Sequence, residues 1–109
     1  PASETLVLMS MRTDRRLILN AQVCRDVLKQ GKIKDAMQAN AYLWMILQPY
    51  LSMDALAIAM LTPEQAQLMT DIAKDYPAII TRLEGKHLVN KEVSNKIPAQ
   101  LMRLYISTL

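Results

Sequence analysis

The chain is predicted to be an all-α domain, a compact bundle of about five to seven short helices, and three observations predict it. Strand-type alternation of β-branched and aromatic residues is missing, Gly occurs only twice, Phe is absent and Met occurs eight times. Apolar residues recur at helical steps, as in Leu68, Met69, Ile72 and Ala73. Finally, Leu61-Thr62-Pro63-Glu64-Gln65 is a well-specified helix start. Thr62 can cap the first free amides, Pro63 occupies the first position, where no backbone donor is needed, and Gln65 can reach back to the N–H of Thr62.

The 109 residues are enough for one domain with one core. With 51% hydrophobic and 21% charged residues the composition is globular rather than disordered. The net charge of +3 is unevenly placed. From Ile79 onward Arg82, Lys86, Lys91, Lys96 and Arg103 face only Glu84 and Glu92, so the whole excess lies in the last third. Residues 1–77 are therefore read as a core and oligomerisation part, and 78–109 as a basic C-terminal helical part that is either a solvated face or a phosphate-facing surface.

The first segment, Ser3 to Met11, reads either as a short helix or as an extended arm. Thr13 is expected to cap a helix from about Asp14 to Gln30, with Leu17, Ile18, Ala21, Cys24 and Leu28 on one face and Gly31 closing it. Arg12, Arg15 and Arg16 would then crowd its start, where the dipole prefers anions. The second helix is expected from Ile33 to Leu47, ended by Pro49. Its second half, Tyr42-Leu43-Trp44-Met45-Ile46-Leu47, is apolar on every side and must be covered all round. Either the other helices wrap it or another subunit completes the cover. Leu43, Trp44, Ile46 and Leu47 are the candidate oligomer interface, while Trp44 and its neighbouring Met residues read as core before they read as a ligand box.

Ser52 is expected to cap a third helix, Met53 to Met60, and the helix opened at Pro63 to run to about Asp75. Tyr76-Pro77 should break the chain, leaving two more turns from Ala78 to Glu84 before Gly85. Glu64, Asp71 and Asp75 fall near the outer face of that helix and read as solubility. Further on, a short helix around Asn90 to Asn95 and a final one from Pro98, with Leu101, Met102, Tyr105 and Leu109 on its stripe, resemble a helix-turn-helix pair.

Little catalytic chemistry is visible, so no enzyme activity, metal or cofactor is expected. His87 is the sole histidine and Cys24 the sole cysteine, far apart and without companion ligands. No phosphate-binding G-x-x-x-x-G-K or G-x-G-x-x-G loop occurs, the two glycines being Gly31 and Gly85. One thiol suits a reducing compartment, no apolar run approaches the ~20 residues of a membrane span, and the first residues lack the basic start and apolar core of a signal peptide. A cytoplasmic location is expected.

The stretch Leu56-Ala57-Ile58-Ala59-Met60-Leu61-Thr62-Pro63-Glu64-Gln65, with the apolar stripe Leu68 to Ala73, resembles the middle of the FlhD family, the small helical subunits of a flagellar transcription activator. Leu19-Asn20-Ala21-Gln22 is similar to that family's Leu-x-Ala-Gln, Gly31 to Met37 is similar to the segment that follows, and Thr81-Arg82-Leu83-Glu84 to its Arg-aromatic-acid run. The chain departs from the pattern in a longer spacing from Gln22 to Thr62 and in the missing aromatics of the last motif. It also has Ile79 and Ile80 near where the family has a cysteine, so that family's intersubunit disulfide cannot form. The resemblance implies a helical homodimer, an FlhC-type protein partner and joint binding to double-stranded promoter DNA. It puts Lys86, Lys91, Lys96 and Arg103 on phosphates and leaves Gln100 to read a base edge.

Three readings of function follow. The first is a DNA-associated transcriptional regulator subunit, carried by the basic last third and the FlhD resemblance. The second is a helical adaptor or secretion-type chaperone, carried by the Met-rich apolar residues. The third is a structural oligomer.

Overall fold

The computed structural model describes residues 2–90, with side chains from Arg15 onward. Among these residues all regular structure is helical, in four elements: α1 (Ala2–Gln30), α2 (Ala36–Ser52), α3 (Ala55–Ala59) and α4 (Pro63–Gly85). The helix-turn-helix pair expected from Asn90 onward lies outside the described residues.

Helix α1 settles the alternative left open for residues 3–11, which are helical. Thr13 is not a cap but lies inside the helix, because no Gly or Pro occurs between Ala2 and Gln30 to stop it. The arginines at 12, 15 and 16 consequently sit far from the positive end of the dipole, and the expected conflict does not arise. Ile18, Ala21, Cys24 and Leu28 are buried along one face, as their spacing requires. Gly31 ends the helix with φ 75°, its N–H donating to the carbonyl of Leu28 at 3.2 Å.

Helix α2 begins three residues later than expected. Asp35 is its cap, accepting from the N–H of Gln38 at 2.8 Å, and the Gln38 side chain accepts from the N–H of Lys34 at 2.9 Å. Pro49 does not end α2, and Pro77 does not break α4. Both lie inside their helices. An internal proline costs a helix about 3 kcal/mol, whereas burying one large apolar side chain contributes about 1.5–3 kcal/mol. Beyond Pro49, Tyr50 and Met53 are buried. Around and beyond Pro77, Tyr76, Ile79, Ile80 and Leu83 are buried. Continuing the helix keeps those side chains in the core, and the sum outweighs the lost hydrogen bond. The expected division of the chain at residue 77 therefore falls within α4.

Ser52 is likewise not a cap. Its hydroxyl donates back to the carbonyl of Gln48 at 2.8 Å, and Asp54 caps the short α3 by accepting from Ala57 N–H at 2.9 Å. The Thr62 motif forms as written. Gln65 N–H donates to Thr62 Oγ1 at 3.1 Å, and Thr62 N–H donates to Gln65 Oε1 at 3.0 Å.

Helix α1 packs against both α2 and α4. The five-residue connection Gly31 to Asp35 turns α2 back along α1. Tyr50, late in α2, donates its hydroxyl to the carbonyl of Met69, early in α4, at 2.5 Å inside the core. Contacts between α1 and α4 advance together along both helices, from Arg25–Asp75 to Gly31–Lys86. The order is thus up, down, up, with α3 in the second crossing. Ile18, Leu28, Ile46, Met69, Ile72 and Ile80 lie at its centre.

Candidate protein-interaction surface

Two surfaces emerge from this packing, and they differ in charge. The first is the seam between α1 and α4. Asp75 accepts from Arg25 Nη1 at 3.2 Å and from Lys29 Nζ at 3.3 Å. It is only half-exposed, so Asp75 ties two helices together instead of decorating an outer face. Glu64 and Asp71 are exposed, as expected. At the end of the seam, Arg82 donates through Nη1 to the carbonyl of Lys29, and Lys86 donates through Nζ to the carbonyl of Gly31 at 3.3 Å. The carbonyls at a helix C-terminus lack intrahelical donors and carry the negative end of the dipole. Arg82 of α4 and Lys86, the residue that caps it, serve them here.

Next to Lys86, the end of α4 is closed by a Schellman arrangement. His87 N–H donates to Glu84 O and Leu88 N–H to Leu83 O, both at 2.9 Å. His87 occupies the left-handed position with φ 59°, where glycine is the usual residue. Gly85, expected to punctuate the chain, is simply the last residue of the helix.

The second surface is the outside of α2 and α3. Helix α2 carries no charged side chain over its 17 residues, and between Ala36 and Leu61 the single charge is Asp54. Of the residues expected at an oligomer interface, Leu43, Ile46 and Leu47 are buried within the protomer's own core. That corrects their reading as an oligomer interface: the protomer's own core already covers them. Trp44, the fourth of the residues expected at an oligomer interface, is 58% exposed and lies about 100° around the helix from Leu43. Met37 at 82% and Leu51 at 48% are exposed with it. These three are spaced by seven residues and form one line along α2. Leu56 and Met60, in and just after α3, are exposed as well.

The seven-residue spacing was present in the sequence. Uniform apolarity around residues 42–47 hid it, since any face of that turn could have been the inner one.

Lys91, Lys96, Gln100 and Arg103 lie outside the described residues. Cys24 is buried, and burial pushes its thiol pKa up. Among the described residues no group of His, Cys, Asp and Glu could hold a metal ion, and no helix is long and apolar enough to cross a membrane. Compared with known proteins, the chain matches no family model, no curated protein and no solved structure.

Proposed function

We propose that this protein is a helical interaction subunit, an adaptor that engages another polypeptide through the uncharged α2–α3 face. One observation carries the reading. A stretch with a single charge, from Ala36 to Leu61, leaves Met37, Trp44, Leu51, Leu56 and Met60 exposed. Leu19 and Val23 of α1 are exposed too, but the line Met37, Trp44 and Leu51 along α2 is the longest of these sets, and large apolar side chains so arranged are costly in water and characteristic of docking surfaces. Trp is the side chain most enriched at interface hot spots, and Met adapts its shape to the partner. The role is one of binding rather than catalysis. The test is cross-linking in cells from a photo-reactive residue in place of Trp44, compared with one in place of Lys74, an exposed residue of α4. Adducts from position 44 and few from position 74 are expected. Equal yields from both positions, or none from position 44, would overturn the reading.

The second reading is a DNA-associated transcriptional regulator subunit of the FlhD kind, working with an FlhC-type partner. Its support is the positive excess of the last third together with the sequence motifs. Lys91, Lys96 and Arg103 would contact phosphates and Gln100 a base edge. Lys86 is weakened as a phosphate ligand by its bond to Gly31 O. This reading expects salt-sensitive binding to duplex DNA. Unchanged binding by the assembled complex after Lys91→Glu with Lys96→Glu would remove the assignment.

A further inference from the structure

We propose that Met37 and Met60 are a modification site on the uncharged face: a hydroperoxide oxidises their thioethers to sulfoxides, and docking on the face is weakened as a result. The inference rests on the interaction-subunit reading and adds a regulation of that same surface.

The fold sorts the methionines by position. Of those whose side chains are described, Met53 and Met69 are buried, and Met45 is half-buried against the core. Met37 at 82% and Met60 at 42% are the exposed ones. Both belong to the face that Trp44, Leu51 and Leu56 complete, Met37 in the first turn of α2 and Met60 at the C-cap of α3. The thioethers open to solvent are therefore the ones that a docked partner would cover, and those packed in the core are shielded. Cys24, the single thiol, is a poor competitor for oxidant. It is buried, and its raised pKa keeps it in the thiol form, whereas the thiolate is the reactive one.

The reaction is a two-electron transfer of oxygen. A sulfur lone pair attacks the terminal oxygen of the hydroperoxide, the O–O bond breaks as the S–O bond forms, and the proton of the attacked hydroxyl passes to the leaving oxygen. Sulfur is oxidised to the sulfoxide, and the peroxide is reduced to an alcohol, or to water when it is hydrogen peroxide. A flexible apolar side chain becomes a polar one whose oxygen accepts hydrogen bonds. In the free chain that oxygen faces water, so the fold bears little cost. Beneath an apolar partner it is a buried acceptor without a donor, and the cost falls on the complex. With a single charge between Ala36 and Leu61, the face relies on apolar burial to hold a partner, and that is the contribution oxidation removes.

The test has two readouts. The purified full chain is treated with hydrogen peroxide, and each methionine is followed over time by peptide mass spectrometry. Met37 should oxidise first and Met60 next, ahead of Met45, with Met53 and Met69 last and helical content unchanged by circular dichroism. In cells, photo-adducts from position 44 are compared with and without hydrogen peroxide. Their yield should fall about tenfold on treatment, the loss of one well-buried contact at an interface. Met37→Leu with Met60→Leu keeps the face apolar and leaves every other methionine in place, so its adducts should survive treatment. Oxidation of Met45, Met53 or Met69 as fast as Met37, an unchanged adduct yield, or an equal fall in the leucine double variant would each overturn the proposal. If position 44 gives adducts that peroxide leaves unchanged, the modification site falls and the interaction-subunit reading stands. If it gives none before treatment, both fall.

Discussion

The α1–α4 seam and the α2–α3 face handle polarity in opposite ways. At the seam, charges are turned inward on the chain itself. Arg25 and Lys29 share Asp75, and Arg82 and Lys86 cap the carbonyls that end α1. Along α2 and α3 charge is nearly absent, and large apolar side chains face water. The difference shows that charge at the seam is used within the protomer. Two residues of the basic excess, Arg82 and Lys86, are occupied in closing a helix end, and the exposed apolar side chains of α2 and α3 lie where charge is least.

Core and face should separate most sharply under truncation. Ile46→Ala removes a side chain with no exposure and should cost about 2–5 kcal/mol of unfolding free energy, the usual range for such a cavity. Trp44→Ala, two residues away in the same helix, should change protomer stability by no more than about 0.5 kcal/mol. Urea denaturation of both variants at a concentration where the chain is monomeric measures the contrast. Similar losses in the two would mean that Trp44 belongs to the core after all.

Tyr76 gives the next largest effect, as a pH dependence. Its burial beside the α1–α4 contact pushes the phenol pKa up to about 12 from 10. The folded state then holds a proton that the unfolded state releases, so stability is full below about pH 10 and declines as pH rises toward 12. The span is about 2–3 kcal/mol at about 1.4 kcal/mol per pH unit. Tyr76→Phe should start from a lower baseline and lack this part of the decline. A wild-type profile over that window with the same slope as the variant would show that the phenol is not shielded.

A smaller loss is expected from Asp75→Ala. Arg25, whose side chain is only 12% exposed, keeps Asp26 at 2.8 Å but loses its partner on α4, and Lys29 loses its contact with the same carboxylate. About 1–2 kcal/mol should be lost, since the pair is partly desolvated. An unchanged midpoint would place this ion pair with ordinary surface pairs.

The smallest effect is a gain. His87→Gly should relieve the left-handed φ of 59°, against a higher entropy of the unfolded chain, for a net stabilisation of about 0.5–1 kcal/mol. His87→Val should move the other way.

Legibility followed the range of the interactions involved. The Thr62–Gln65 box and the buried stripe of Ile18, Ala21, Cys24 and Leu28 are made by neighbours within a turn or two, and both were readable from spacing alone. The prolines at 49 and 77 misled because their local preference is real but smaller than the packing beyond them. Ser52 misled because Asp54, two residues on, is an equally good cap, and the position of α3 against the bundle selects between them. Leu43, Ile46 and Leu47 misled because composition says how apolar a turn is and not which side of it faces inward.

The amino-acid sequence by itself determined that the chain is helical, where α4 starts and which face of α1 is buried, because helix propensity, capping and amphipathic period act between residues close in the chain. Tertiary structure alone decided that α2 and α4 run through their prolines, that Arg82 and Lys86 serve the end of α1, and that Met37, Trp44 and Leu51 remain outside. Those outcomes depend on which helices meet and along which side, and that is settled by the burial summed over the whole core, in which every segment competes for the same limited interior.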